Sequence, residues 1–91
     1  MTPEMKLKVI TIGGDEHDIE SPPDIKAEDF IKDLIAALGL PVRDADYNPI
    51  VWRIDDKNIS KTLEGDKTLE ENGVRDSHTL ILLRATVAGS N

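Results

Sequence analysis

In a chain of 91 residues, a single segment repeats its apolar side chains at a helical spacing, and that limits the fold more than any other feature of the sequence. Within residues 26–38, Phe30, Ile31, Leu34, Ile35 and Leu38 fall at i, i+1, i+4, i+5 and i+8, and Ala27 extends the stripe backwards. Asp24 suits an N-cap, Glu28 and Asp29 suit the positive end of the helix, and Gly39 followed by Pro41 ends it. The remainder reads as strands and turns. Residues 6–12 alternate and are rich in β-branched side chains. Gly13-Gly14-Asp15 is hairpin chemistry, and residues 17–20 form the short return strand. Residues 50–54 read as a strand with Trp52 and Ile54 on one face and Val51 and Arg53 on the other. Asp55-Asp56-Lys57-Asn58 follows as a turn, and residues 59–63 give a weak short strand. Residues 67–72 with Gly73 read as one helical turn, and residues 79–83 as a last, strongly apolar strand. One helix packed on a mixed four- to five-stranded sheet is an α+β domain, with the first and last strands forming a parallel central pair.

Composition narrows the function. The length suits one domain, divided here into a loose leader over residues 1–5, a folded part over 6–84 and a flexible tail over 85–91. Phe30, Tyr47 and Trp52 are the only aromatics, so the core is aliphatic, with Trp52 expected to anchor it. A net charge of −7 argues against binding to nucleic acid or to anionic membranes. The lack of cysteine excludes disulfides, thiolate metal sites and cysteine nucleophiles. No apolar run approaches the length of a membrane span, and no long apolar segment opens the chain. A cytoplasmic protein without a membrane span is therefore expected.

Catalytic and metal-binding readings are weak. His17 and His78 have no further histidine or cysteine at ligand spacing, so turn histidines are expected and no metal. Gly13-Gly14 lacks the Lys-Ser/Thr pair of a phosphate loop. Asp15-Glu16-Asp18 and Asp55-Asp56 match no calcium loop and read as solvated turns. No cofactor and no enzymatic activity are expected.

The stretch Thr68-Leu69-Glu70-Glu71-Asn72-Gly73-Val74-Arg75-Asp76-Ser77-His78-Thr79-Leu80-Ile81-Leu82-Leu83 resembles ubiquitin, without a gap, from its short 3₁₀ turn through its last strand. The hairpin and helix are similar in pattern, while residues 41–49 and 55–63 are spaced differently. The resemblance implies a ubiquitin-like β-grasp fold. Continued past Leu83, it sets Gly89 on ubiquitin's terminal glycine, with Ser90 and Asn91 as residues a protease would remove. Ala88 departs from the double glycine of ubiquitin. Trp52 and the tail Leu83-Arg84-Ala85-Thr86-Val87-Ala88-Gly89 look similar to small bacterial ubiquitin-like modifiers.

The function so implied is a protein modifier trimmed after Gly89. An E1-like enzyme would activate its carboxylate and an E2-like carrier would pass it to target amines as an isopeptide bond. A processing or deconjugating protease completes the partner set. Glycine suits such a terminus, since it lets a backbone pass closely. The resemblance also places a partner-binding face at Ile81 and Leu83, with Arg53 in place of the central isoleucine of ubiquitin's patch. Lys57 lies near a known linkage lysine, a possible acceptor whose local spacing differs. The alternative is a non-covalent interaction module, such as an accessory protein of type VII secretion, in which the sheet face acts and the tail does not.

Overall fold

The computed structural model describes residues 4–85. Five strands and one helix follow in the order β1 (Met5–Ile10), β2 (Glu16–Ser21), α1 (Ala27–Leu38), β3 (Trp52–Asp56), β4 (Lys61–Thr62) and β5 (Thr79–Arg84). The sheet order is β2-β1-β5-β3-β4. β1 and β5 run parallel at the centre, with Val9 opposite Leu80, and every other pair is antiparallel. The sequence places Met5 in the leader, but it is the first residue of β1 and is buried.

Strand alternation sorts the side chains between the two faces of the sheet. Leu7 and Val9 of β1, Ile54 of β3, and Leu80 and Leu82 of β5 face the helix and are buried. Ala27, Phe30 and Leu34 of α1 close over them, with Ile31 and Leu38 partly covered at the margin. Leu63, Leu69 and Val74 fill the end of the core from the segment between β4 and β5. Each such aliphatic side chain stabilises the fold by about 1.5–3 kcal/mol relative to an exposed position.

The ends of α1 differ in how far sequence reveals them. Gly39 adopts φ 66° and Leu40 N–H donates to Ile35 O at 3.0 Å, the glycine-terminated ending expected. Asp24 does not cap the other end. Lys26 is the N-cap and makes no side-chain capping bond. The first amides are met from outside the helix: Ala27 N–H donates to Lys67 O at 2.9 Å and Glu28 N–H to Gly65 O at 3.1 Å. These amides lack an intrahelical acceptor, and a loop forty residues downstream supplies one.

That loop is held by Asn72, which is 2% exposed. Its side-chain carbonyl accepts from Glu64 N–H at 2.7 Å, and its amide donates to the carbonyls of Glu64 and Thr68 at 3.0 and 2.9 Å. Thr68 and Glu71 form a reciprocal capping box within it. Thr68 N–H donates to Glu71 Oε1 at 2.8 Å, and Glu71 N–H to Thr68 Oγ1 at 3.0 Å. Gly73, at φ 94°, ends the turn expected from sequence.

Residues 41–50 also carry defined structure. The Asp44 carboxylate accepts from the backbone N–H of Asp46 and of Asn48, and the Arg43 guanidinium donates to Tyr47 O at 3.0 Å. Trp52 is half-buried rather than a central anchor. Its indole N–H donates to Pro41 O at 3.1 Å, and the Arg84 guanidinium lies 5.6 Å from the centre of its ring.

Candidate interaction surfaces

The face of the sheet turned away from α1 carries the candidate partner-binding residues. In the β3–β5 register Arg53 lies directly opposite Leu83, and Asp55 opposite Ile81. The structure therefore brings Ile81, Leu83 and Arg53 together, as expected. Ile81 and Leu83 are half-buried and Arg53 is exposed. Two residues that sequence reasoning did not assign to the site extend the strip. Ile10 pairs with Ile81 across the parallel ladder. Val51, 51% exposed, lies beside the end of β5, where its carbonyl accepts from Ala85 N–H at 2.7 Å. Parity alone could have found both: Ile10 shares its face with Lys6 and Lys8, and Val51 with Arg53. The apolar strip is interrupted by charge, with Arg53 and Asp55 3.5 Å apart on one flank and Lys8 and Glu16 3.6 Å apart on the other. Such exposed pairs add little to stability, but they fix where charge stands around the strip.

Lys57 is exposed in the turn after β3, where its backbone N–H donates to Thr79 O at 2.9 Å. The proposed processing site, Ala88, Gly89 and Ser90, lies outside the described residues.

The acidic turn at the end of β3 differs from expectation. Asp55 is half-buried, and Asp56 is fully buried as the last residue of the strand. The Asp56 carboxylate accepts from Asn58 N–H at 2.8 Å, and its other oxygen lies 2.7 Å from His78 Nδ1. Nδ1 also lies 3.3 Å from Arg75 N, but a proton shared with the carboxylate leaves it no lone pair for that amide. His78 is therefore a tether between the β3 turn and the start of β5, not a free turn histidine. Sequence could not pair two residues twenty-two positions apart. Among the described residues no group of three histidine, cysteine or acidic side chains could hold a metal ion, and no helix is long and apolar enough to cross a membrane.

Away from the strip, Glu64 and Lys67 form an ion pair at 3.1 Å. Its hydrogen bond holds the Glu64 carboxyl below its usual range and raises the Lys67 ammonium above its own. Glu71 is held low by its bonds from the Thr68 backbone and hydroxyl.

The sequence model of the family described as WXG100 protein secretion system (Wss), protein YukD, matches residues 7–82. The chain belongs to the YukD family. The matched span takes in all the strands and the helix except the first residues of β1 and the last of β5. Solved structures agree in fold. A design based on ubiquitin is 22% identical over 98% of both chains, with a TM-score of 0.73. The ubiquitin of Caldiarchaeum subterraneum is 27% identical, covering 94% of this chain and 99% of that one, with a TM-score of 0.67. The ubiquitin-like domain of Plasmodium falciparum Dsk2 is 26% identical, covering 90% and 99%, with a TM-score of 0.69. None of the curated proteins matches. The fold is the ubiquitin-like β-grasp, as the resemblance implied.

Proposed function

We propose that this protein is a non-covalent interaction module of a WXG100-type secretion system, docking a protein partner on the outer sheet face around Ile81, Leu83 and Arg53. The observation that carries the reading is the family match over residues 7–82, which takes in Arg53 and Ile81 and stops just before Leu83 and the tail. The face supports it physically: an apolar strip from Ile10 to Val51, bordered by fixed charges, combines a core that gains from losing water with a rim that sets register. No side chain of the described residues is assigned catalysis.

The test is export of WXG100 proteins from the native cell. Ile81→Glu with Leu83→Glu is expected to abolish export at unchanged protein level, while deletion of residues 86–91 leaves export intact. The opposite pattern would refute the module.

A second reading draws on the 27% identity to an archaeal ubiquitin. A protease would trim the chain after Gly89, and an E1-like enzyme and an E2-like carrier would then join it to target amines, with Lys57 a possible acceptor for chains. Intact mass spectrometry of the protein from its native cell separates the two. The modifier requires a species ending at Gly89 and adducts of higher mass that vanish in Gly89→Ala. The module requires neither.

A further inference from the structure

The sheet has two edges. One is β4, only two residues long. The other is β2, six residues long and without proline, and among the described residues no strand pairs with its outer side. Backbone direction along β2 follows from its neighbour. Lys8 N–H donates to His78 O, and Ser77 N–H to Lys6 O, so the even-numbered residues of β1 turn their polar backbone groups toward β5. The odd-numbered residues then turn toward β2, where Leu7 pairs with Ile19 and Val9 with His17. By alternation the N–H and C=O groups of Glu16, Asp18 and Glu20 point out of the sheet, open to a further strand.

The two faces of that edge differ. Glu16, Asp18 and Glu20 project as an acidic row on the outer face. On the helix side, Ile19, Ile25, Phe30 and Leu34 line a cleft of about 170 Å³ between β2 and α1, with the acids Glu20 and Asp33 also among its lining. A second copy of the chain does not fit, because β2 beside β2 would set acidic row against acidic row, in a protein of net charge −7. The fitting pattern is already visible on the paired side of β2. There β1 reads Met5-Lys6-Leu7-Lys8-Val9, with Lys6 opposite Glu20, Lys8 opposite Asp18, and the apolar residues facing the helix.

We propose that the outer edge of β2 accepts an extended segment of a protein partner in which basic and apolar residues alternate. The segment adds antiparallel as a sixth strand. Its lysines or arginines lie opposite Glu16, Asp18 and Glu20, its backbone bonds to those three residues, and its apolar side chains enter the β2–α1 cleft. This site meets the docking face proposed above only at Glu16, which pairs with Lys8 at that face's flank, and either can fail without the other.

The test uses the full chain, ¹⁵N-labelled, titrated with the capped peptide Lys-Leu-Lys-Val-Lys-Val. Amide shifts are expected over residues 16–21 and at Phe30 and Leu34. Two altered peptides are expected to bind at least tenfold more weakly: one with each lysine replaced by glutamate, and one N-methylated at its lysines, whose amides would face β2. Asp18→Lys combined with Glu20→Lys is expected to exchange the preference, binding the glutamate peptide and releasing the lysine one. Shifts centred on Ile81 and Leu83 would overturn the proposal, as would equal binding of the N-methylated peptide or no binding at all.

Discussion

At the scale of the residue, two polar side chains, one buried and one half-buried, matter more than their sequence context suggests. Asn72 joins the carbonyls of Glu64 and Thr68 and the amide of Glu64 from a position with almost no solvent. Asn72→Ala removes both partners of Glu64 at once and leaves buried backbone groups unpaired, each costing about 1–3 kcal/mol. A loss of about 3 kcal/mol is expected, read as a lower urea midpoint with the slope unchanged. The sequence shows Asn72-Gly73 as the end of a turn, but not that the amide closes the loop before it, since this depends on residues 64–68 folding back over it. His78 presents the same difficulty. Its bond to the buried Asp56 carboxylate joins two segments that read separately as a lone histidine and a solvated acidic turn. His78→Ala leaves that carboxylate with only the Asn58 amide, and a loss of about 2 kcal/mol is expected. Unfolding of His78→Ala in urea checks it, and a variant as stable as the parent would show that the pair contributes nothing.

At the scale of the element, the helix was legible because its signal is local. The 3.6-residue period and Gly39 both act within one turn of the residues that carry them. Its N-terminus was not, because the acceptors for Ala27 and Glu28 are Lys67 O and Gly65 O. The stability of the first turn is thereby coupled to a distant loop. Native-state hydrogen exchange in Asn72→Ala is expected to speed up at the Ala27 and Glu28 amides by more than at Leu34, after allowing for the global loss. Equal acceleration at all three would mean that the loop does not hold the helix end. The loop itself carries a pH dependence. The Thr68 bonds hold the Glu71 carboxyl below its usual 4.5, so its proton affinity is lower in the folded state than in the unfolded one. Its contribution is therefore complete above about pH 4.5 and fades as the pH falls through the depressed folded value. Glu71→Gln is expected to be less stable than the parent at neutral pH, with the gap closing in acid. Denaturation curves at pH 7 and at acidic pH check it.

At the scale of the whole molecule, the β-grasp order was readable because each strand announces itself by alternation and only one segment can be the helix. The parallel meeting of β1 and β5 followed from their apolar character, and the register Val9 opposite Leu80 bears out that placement. What the sequence weighted differently was the tail. The alignment drew attention to Gly89, whereas the family match ends at residue 82 and the strip from Ile10 to Val51 lies wholly within the folded body. The described hydrogen bonds run from the β1–β2 ladder, which begins with Met5 opposite Ser21, to Ala85, whose N–H donates to Val51 O. On the reading of residues 85–91 as a flexible tail, deletion of residues 86–91 is expected to change the unfolding free energy by no more than about 0.5 kcal/mol. The same truncation separates stability from function. An interaction module that docks through Ile81 and Leu83 retains its partner with unchanged affinity after the deletion and loses it when Leu83→Glu is introduced into the otherwise intact chain. A modifier does the reverse, keeping its non-covalent contacts but forming no adduct. Partner capture and adduct formation measured side by side on these two variants therefore decide whether the sheet or the tail carries the function.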